Sequence, residues 1–277
     1  MLVFPFAKIN LGLQVLRKRP DGFHDIRTVM VPIPLCDALE AVVDEGAAPG
    51  EVRFERTGIP VPGDASGDLC MKAVEQVRKF RELPGLRIHL HKAVPMGAGL
   101  GGGSSDAAHT LLLLNALLDL GLAPKELHAM AATLGSDCPF FLQQGAQLAD
   151  GRGEVLSPLH VDLTGHWLVL VNPSIHVPTA EVYGNMRLAE HHDDLPRMIA
   201  APIASWQGTV VNDMEEYVFA KYPAIKAIKQ ELLARGASYA AMSGSGSSVF
   251  GVFSRKPMDL VFPEGYSMWV FPGRAES

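Results

Sequence analysis

The stretch Pro95-Met-Gly-Ala-Gly-Leu-Gly-Gly-Gly-Ser-Ser-Asp-Ala-Ala108 places five glycines among the seven residues from Gly97 to Gly103. Glycine lacks a Cβ, so such a loop can turn tightly and bring its backbone N–H groups close to an anion. Two serines and an apolar run follow, which predicts a helix from about Ser105 with Ser104 or Ser105 as its N-cap. The positive end of that helix would face the same point. The stretch therefore predicts a phosphate-binding loop.

Other interpretations of the glycines are weaker. A P-loop requires a lysine directly after its glycines, and none follows here. The spacing Gly97-x-Gly99-x-x-Gly102 matches the dinucleotide fingerprint formally, but the acidic candidate, Asp119, lies at the end of a helical run rather than of a strand. A glycine-rich turn without a ligand is the third possibility, although so many glycines destabilise a loop that only joins a strand to a helix.

Composition limits the class of protein. The 277 residues are 48% hydrophobic and 19% charged, as in a globular chain with a substantial core. A net charge of −6 gives no basis for nonspecific nucleic-acid binding. The three cysteines are odd in number and lack C-x-x-C spacing, which indicates a reducing compartment. No apolar run is long enough to span a bilayer. We therefore expect a cytoplasmic protein with neither a nucleic-acid nor a membrane partner.

Periodicity and turn signals predict an α+β chain. The expected strands are near residues 2–16, 27–43, 52–56, 86–92, 167–171, 239–242, 248–253 and 267–271, with a hairpin over 143–158. The expected helices are near residues 69–79, 105–120, 124–134, 179–189, 193–200 and 213–234. The change in organisation predicts two lobes, residues 1–155 and residues 156–277.

Three segments, in this order, resemble a known superfamily. They are Phe6-Ala-Lys-Ile-Asn-Leu11, the glycine-rich stretch, and Met242-Ser-Gly-Ser-Gly-Ser-Ser-Val-Phe250. Together they are similar to the motifs of the galactokinase, homoserine kinase, mevalonate kinase and phosphomevalonate kinase superfamily. The resemblance implies an ATP-dependent small-molecule kinase. Its N-terminal lobe would be ribosomal-protein-S5-like and bind ATP, and its C-terminal lobe would be ferredoxin-like and lie on the substrate side.

Further segments narrow the resemblance. Arg19-Pro-Asp-Gly-Phe-His24, Leu134-Gly-Ser-Asp-Cys-Pro-Phe-Phe141 and Asn212-Asp213 are similar to the 4-diphosphocytidyl-2-C-methyl-D-erythritol kinases of the non-mevalonate isoprenoid pathway. This implies phosphorylation of the 2-hydroxyl of that cytidine diphosphate-linked methylerythritol. Two alternatives are a sister kinase acting on another alcohol, such as homoserine or mevalonate, and a nucleotide-binding homologue without catalysis. The second would lack an essential Asp or Lys.

The resemblance implies a catalytic pair. Asp137 would be the base that accepts the proton of the attacking hydroxyl, although an Asp before Cys-Pro can also simply cap a turn. Lys8 would lie beside Asp137 and keep its carboxylate ionised. Asn10 falls on the same strand face as Lys8, because side chains alternate with a period of two, and it would orient the substrate.

The substrate and nucleotide residues are also implied by the resemblance. Phe23 and His24 would read the cytosine, Tyr183 would stack on its other face, and Gly244 and Gly246 would approach the acceptor. We interpret Thr179 as an N-cap outside the site, and Asn212 and Asp213 as caps of the following helix. The implied ATP-binding residues are Pro95, Gly97, Gly99, Leu100, Gly101, Gly102, Gly103, Ser104 and Ser105.

Mg²⁺ is expected with ATP, and an ion bound largely through phosphates and water leaves little trace in the sequence, so its ligands are not assigned. The run from His191 to Asp194 carries ligand-type side chains, but adjacent residues rarely converge on one ion, so we interpret it as a solvated loop. Three residues depart from the pattern. Phe23 replaces a common tyrosine, and Asp68 and Asp106 each replace a frequent asparagine.

Overall fold

The computed structural model describes residues 1–61, 67–191 and 194–276. The strands, numbered along the chain, are β1 (Leu2–Val3), β2 (Phe6–Lys18), β3 (His24–Cys36), β4 (Ala38–Val43), β5 (Val52–Gly58), β6 (Leu86–Lys92), β7 (Gln147–Asp150), β8 (Val155–Pro158), β9 (Val161–Asp162), β10 (Trp167–Asn172), β11 (Tyr239–Met242), β12 (Val249–Phe253), β13 (Ser267–Pro272) and β14 (Ala275–Glu276). The α-helices are α1 (Leu69–Phe80), α2 (Gly102–Leu117), α3 (Pro124–Leu134), α4 (Thr179–Asn185), α5 (Leu195–Ile199), α6 (Glu215–Lys221) and α7 (Pro223–Ala234). This mixture of sheets and helices confirms the predicted α+β class.

The chain forms two compact units, and each is built from separate stretches of sequence. The first unit comprises Met1–Ala7, Ile33–Met96 and Gly101–Gln144, and the second comprises Lys8–Pro32, Gly97–Leu100 and Gly145–Ser277. Strand β2 begins in the first unit and continues into the second, whereas β3 begins in the second unit and ends in the first. The division into functional lobes 1–155 and 156–277 stays a prediction.

The first unit packs helices against a four-stranded sheet of order β1-β4-β6-β5. The strand β6 pairs antiparallel with β4 and parallel with β5. Along β6, the side chains of Leu86, Ile88 and Leu90 are buried among the helices' apolar residues while Arg87 is exposed. This is the period-two pattern of a half-buried strand, as predicted.

The second unit contains two four-stranded sheets, of order β2-β3-β7-β8 and β11-β12-β10-β13, and the short pair β9–β14. The strand β10 lies between β12 and β13 and is almost wholly buried. The helix α7 packs against β11 and β12, so this sheet carries the core of the unit. Its residues include Val169, Val171, Ile228 and Leu232.

The single helix predicted over 213–234 is wrong. The structure has α6 and α7 there, separated at Tyr222, whose φ and ψ are −123° and 75°. Pro223 is the cause, because it lacks an N–H and disfavours helical backbone in the residue before it. The predicted helix end near residue 234 is confirmed: α7 ends at Ala234, its C-cap is Arg235, and Gly236 follows with a φ of 92°.

None of the helices in the described ranges has the length and apolar character that crossing a bilayer requires. Cys36, Cys70 and Cys138 are free thiols.

Candidate active site

The glycine-rich loop enters α2 through backbone that glycine adopts most easily. Gly97, Gly99 and Gly101 have φ angles of 59°, 77° and 70°, in the left-handed region. The N-cap of α2 is Gly101, and the N–H of Ser105 donates to its carbonyl at 2.9 Å. The predicted serine cap is wrong, because the left-handed glycine lets the helix begin at Gly102. Since glycine has no side chain to cap the helix, the first amides of α2 keep their hydrogen-bonding capacity for an anion.

Inside the second unit, the middle of the loop contacts the glycine motif near the C-terminus. A Cβ on Gly99 would lie 1.9 Å from the carbonyl oxygen of Ser243, so only glycine fits. The Ser243 hydroxyl donates to the Gly99 carbonyl at 2.8 Å, and the Ser248 N–H donates to the Ala98 carbonyl at 3.1 Å. A Cβ on Gly244 would lie 3.3 Å from the Cα of Gly99. Two segments that carry the superfamily resemblance are therefore adjacent.

The N-terminal motif joins the same cluster. The Nζ of Lys8 donates to Oδ1 of Asn10 at 2.6 Å and to the carbonyl of Gly99 at 3.2 Å. The backbone N–H of Lys8 donates to the carbonyl of Leu100 at 3.0 Å. The Asn10 N–H donates to the Ser243 hydroxyl at 3.2 Å. Both Lys8 and Asn10 are buried, so these bonds fix the position of the ammonium. The structure thus brings Lys8 and Asn10 together, as the sequence predicts, and places both against Gly99.

Asp137 lies in the first unit, directly before a 3₁₀ turn over Cys138–Leu142. The N–H of Cys138 donates to the carbonyl of Gly135 at 3.2 Å. Burial raises the pKa of the Cys138 thiol to about 11, and this thiol hydrogen-bonds with the Ser104 hydroxyl. The residue after Asp137 therefore contacts the serine end of the glycine-rich loop. The pairing of Asp137 with Lys8 of the second unit stays a prediction.

The predicted cytosine-reading residues, Phe23, His24 and Tyr183, all lie in the second unit. The rings of His24 and Tyr183 stack with centroids 4.8 Å apart and an interplanar angle of 16°. Burial, and secondarily the charge of Lys18, lowers the pKa of His24. The guanidinium of Arg152 lies 4.9 Å from the ring centroid of Phe23, a cation–π distance. The structure brings His24 and Tyr183 together, and Phe23 is held by an arginine that sequence reasoning did not single out.

Two interpretations of polar residues near this region are wrong. The N-cap of α4 is Pro178 rather than Thr179, and the Thr179 hydroxyl lies 2.8 Å from the Ser245 hydroxyl of the C-terminal glycine motif. Asn212 is not the N-cap of α6, which is Met214, although the Asn212 Oδ1 accepts the N–H of Met214 at 3.0 Å.

The role of Asn212 is tertiary. Its amide donates to the carbonyls of Met242 and Gly244, each at 2.8 Å. The adjacent Asp213 accepts the N–H of Val15 in β2 at 2.7 Å. Asn212 and Asp213 thus tie the C-terminal glycine motif to the strand that carries Lys8. The N–H of Gly246 also donates to the Ser243 carbonyl at 3.0 Å, which closes the turn.

A cavity of about 390 Å³ adjoins the glycine-rich loop within the first unit. Gly103 lines it together with Lys92, Asp106 and the Asp68–Arg56 pair. Asp68 is the N-cap of α1, and its Oδ1 accepts the N–H of Cys70 at 2.8 Å. The departure from asparagine at this position is therefore compatible with the helix start. The volume is within the range of small-ligand sites.

The structure shows how one end of the 191–194 segment is held, while His192 and Asp193 lie outside the described residues. Nε2 of His191 lies 2.7 Å from Oδ2 of Asp213, and the imidazole is 13% exposed. His191 is therefore packed rather than solvated, contrary to our interpretation. In the described part of the chain, no group of three or more His, Cys, Asp or Glu side chains could hold a metal ion.

Comparisons with known proteins place this geometry in a family. Residues 68–145 match the GHMP kinases N terminal domain, and residues 189–262 match the GHMP kinases C terminal domain. A 4-diphosphocytidyl-2-C-methyl-D-erythritol kinase from Parabacteroides distasonis is 46% identical over 92% of this chain and 92% of its own length. The enzyme of that name from Geobacter sulfurreducens is 41% identical over 90% of this chain and 88% of its own length.

The chain belongs to the 4-diphosphocytidyl-2-C-methyl-D-erythritol kinase family.

A crystal structure from this kinase family agrees. A 4-(cytidine 5'-diphospho)-2C-methyl-D-erythritol kinase has a TM-score of 0.78 at 32% identity, with 100% of each chain covered. The homoserine kinase of Cytophaga hutchinsonii has a TM-score of 0.67 at 16% identity, covering 97% of this chain and 95% of its own. The second likeness shows the shared fold alone. The two GHMP kinase domains confirm the predicted superfamily fold, and the chain is an ATP-dependent small-molecule kinase.

Proposed function

We propose that this kinase transfers the γ-phosphoryl group of ATP to the 2-hydroxyl of 4-diphosphocytidyl-2-C-methyl-D-erythritol, which yields ADP and the 2-phosphate. The observation that carries the proposal is the family match at 40–46% identity over most of the chain. The left-handed glycine N-cap of α2 supports it, because phosphoryl transfer depends on fixed backbone donors around the phosphates.

Asp137 is the base of this proposal. As the attacking 2-hydroxyl oxygen forms its bond to the γ-phosphorus, its proton passes to the Asp137 carboxylate, and the bond from phosphorus to the β,γ-bridging oxygen of ADP breaks. The buried Cys138 and Pro139 after Asp137 support the assignment, because a catalytic carboxylate must be held in one orientation.

In this proposal the Lys8 ammonium supplies the positive charge that stabilises the transferred phosphoryl group. This ammonium is held by Asn10 and the Gly99 carbonyl, so it meets a developing negative charge without reorganising. We assign Lys8 to the oxygens of the transferred group and to the ionised form of Asp137. Asn10 orients this ammonium and the substrate hydroxyl.

The nucleotide occupies the first unit's cavity in this proposal. The triphosphate lies along the loop from Gly97 to Ser105, and the nucleoside lies in the cavity lined by Gly103, Asp68 and Lys92. ATP is used as its Mg²⁺ complex, and the ion arrives with the substrate through phosphate and water ligands.

The cytidine end is assigned to Phe23, His24 and Tyr183, with Gly244 and Gly246 close to the acceptor. Because the imidazole and the phenol ring stack at 4.8 Å, a cytosine that stacks on Tyr183 displaces the His24 ring to the edge of the base. There a neutral imidazole can both donate and accept a hydrogen bond. The lowered pKa of His24 favours this neutral form.

Two further assignments accompany the proposal. Residues 1–155 act as the ATP-binding lobe and residues 156–277 as the substrate-side lobe. The three free thiols are compatible with the reducing environment of the cytoplasm.

The test is ADP release with MgATP and each of three alcohols: the cytidine-diphosphate substrate, homoserine and mevalonate. We expect turnover with the cytidine substrate and at least about a hundredfold lower kcat/KM with the other two, because a site built for hydrogen bonds to a base rejects substrates that lack it. Turnover with homoserine or mevalonate instead would overturn the substrate assignment. ATP binding without turnover on any alcohol would support the non-catalytic alternative.

A further inference from the structure

A buried cluster of one cation and two carboxylates lies beside the cavity of the first unit. The Nζ of Lys92 donates to Oδ2 of Asp106 at 2.6 Å and to Oδ2 of Asp37. The three side chains are at most 4% exposed. If both carboxyl groups were ionised, the cluster would carry a net negative charge away from water, which is unfavourable. One of the two carboxyl groups is therefore the better site for a proton.

The hydrogen bonds identify which carboxyl group holds that proton. Asp37 also accepts the backbone N–H groups of Ala93 and Val94, at 2.5 Å and 2.8 Å, through Oδ1. Three donors stabilise its ionised form. Among the described residues, Asp106 accepts a hydrogen bond from Lys92 and none from a backbone N–H, and its buried Oδ1 has no hydrogen-bond partner. A hydrogen bond between the Asp106 and Asp37 carboxyl groups favours the protonated form of Asp106. The proton therefore resides on Asp106.

We propose that Asp106 works in the nucleotide pocket as a neutral carboxylic acid, and that loss of its proton weakens ATP binding. This inference rests on the proposed assignment of the cavity to the nucleoside of ATP. A protonated carboxyl group has nearly the shape and polarity of an asparagine amide. Unlike an amide, the Asp106 side chain can lose a proton and become charged.

The electrostatics of the pocket give the direction of the effect. The pKa of Asp106 is raised to about 8, because burial and, to a smaller extent, the charge of Asp37 outweigh the lowering effect of the Lys92 ammonium. Asp68 and Arg56 form an ion pair in the cavity wall, and burial keeps the Cys70 thiol of α1 neutral. With Asp106 protonated, Lys92 and Arg56 balance Asp37 and Asp68. Its ionisation adds an unbalanced negative charge beside Gly103, where the anionic nucleotide would bind.

The test is calorimetric titration of MgATP at pH 7 and pH 9 into the wild-type protein and into the matched Asp106→Asn variant. If only the neutral form binds, the Kd of the wild type rises about tenfold between these pH values, because the competent fraction falls by that factor. The Kd of Asp106→Asn does not change with pH in this way. ATP ionisation affects both proteins equally. A pH-independent Kd in the wild type, or an equal rise in both proteins, would overturn the proposal.

Urea unfolding provides a readout without nucleotide. The folded-state pKa of Asp106 is raised from 3.8 to about 8, so between these values the folded protein keeps a proton that the unfolded chain loses. The free energy of unfolding therefore falls with rising pH in this window, relative to Asp106→Asn. A constant difference between the two proteins from pH 5 to pH 8 would contradict the neutral carboxyl. This result stands even if the chain does not use the cytidine substrate, so the two proposals can fail separately.

Discussion

The Nζ of Lys8 donates a 2.6 Å hydrogen bond to Oδ1 of Asn10, and both side chains are buried. The amide of Asn10 in turn donates to the Thr28 hydroxyl at 3.0 Å. A chain of hydrogen bonds from β3 thus orients the Asn10 oxygen, and this oxygen orients the ammonium. The lysine at the start of β2 is fixed by tertiary contacts rather than left to solvent.

Replacement of Lys8 by Met should lower kcat by about a hundredfold or more while KM for ATP changes less, because a preorganised charge acts mainly in the transition state. Asn10→Ala should also lower kcat, because it removes the oxygen that holds the Lys8 ammonium in position. Steady-state kinetics check both variants. The matched control is Lys226→Met, which removes an exposed lysine of α7. A Lys8→Met enzyme as active as this control would contradict the role of Lys8.

Asp137→Asn should retain ATP binding and lose turnover by about a hundredfold to ten-thousandfold, the usual contribution of a general base. Calorimetry with MgATP and single-turnover kinetics measure the two effects. Asp119→Asn is the control, since Asp119 is exposed and its positive φ of 47° suits asparagine. Near-normal turnover in Asp137→Asn would refute the base assignment.

Gly99 and Gly103 form a matched pair for the loop. A Cβ at Gly99 would lie 1.9 Å from the Ser243 carbonyl, whereas one at Gly103 would meet Leu69 at 3.7 Å, an ordinary contact. Gly99→Ala should therefore destabilise the protein by about 1–3 kcal/mol or more, as overpacking of a core does. Gly103→Ala should stabilise α2 by about 0.5–1 kcal/mol through helix propensity. Thermal and urea unfolding measure the stabilities of the two variants. If Gly99→Ala and Gly103→Ala were equally stable, the loop would not pack against Ser243 in solution.

Substitutions of His24 or Tyr183 should change KM for the cytidine substrate and leave KM for ATP unchanged. Tyr183→Ala should raise KM for that substrate by about tenfold, the order of a lost aromatic stacking contact, and leave KM for ATP unchanged. Tyr183→Phe keeps the ring and is the conservative control. Equal effects of Tyr183→Ala on both KM values would contradict a cytosine site.

The pH dependence of that site follows from His24. Burial lowers its pKa below 6.5, so the imidazole is neutral at pH 7 and becomes charged only on acidification. KM for the cytidine substrate should therefore be insensitive to His24 from pH 7 upward and change below pH 6.5. Comparison with His24→Gln isolates this residue, and a wild-type profile identical to that of the variant would exclude its role.

Local patterns predicted most of the fold. The alternation of apolar residues at Leu86, Ile88 and Leu90 predicted strand β6, and the helical pattern that begins at Pro124 predicted α3. The structure confirms both elements. The helix break at Tyr222 was missed because apolar spacing continues across Pro223. The tertiary roles of Thr179 and Asn212 could not be found in the same way. Their partners, Ser245, Met242 and Gly244, are about 30 or more residues away along the chain, and no local period encodes such contacts.

The central claim is that this chain places a phosphoryl group on the alcohol of a cytidine-diphosphate substrate. The most direct measurement is ³¹P NMR of a reaction with MgATP and 4-diphosphocytidyl-2-C-methyl-D-erythritol. We expect a new phosphomonoester signal equal in amount to the ADP formed, with the diphosphate signals of the substrate retained. ADP release without a phosphomonoester, or loss of the substrate's diphosphate signals, would contradict the claim.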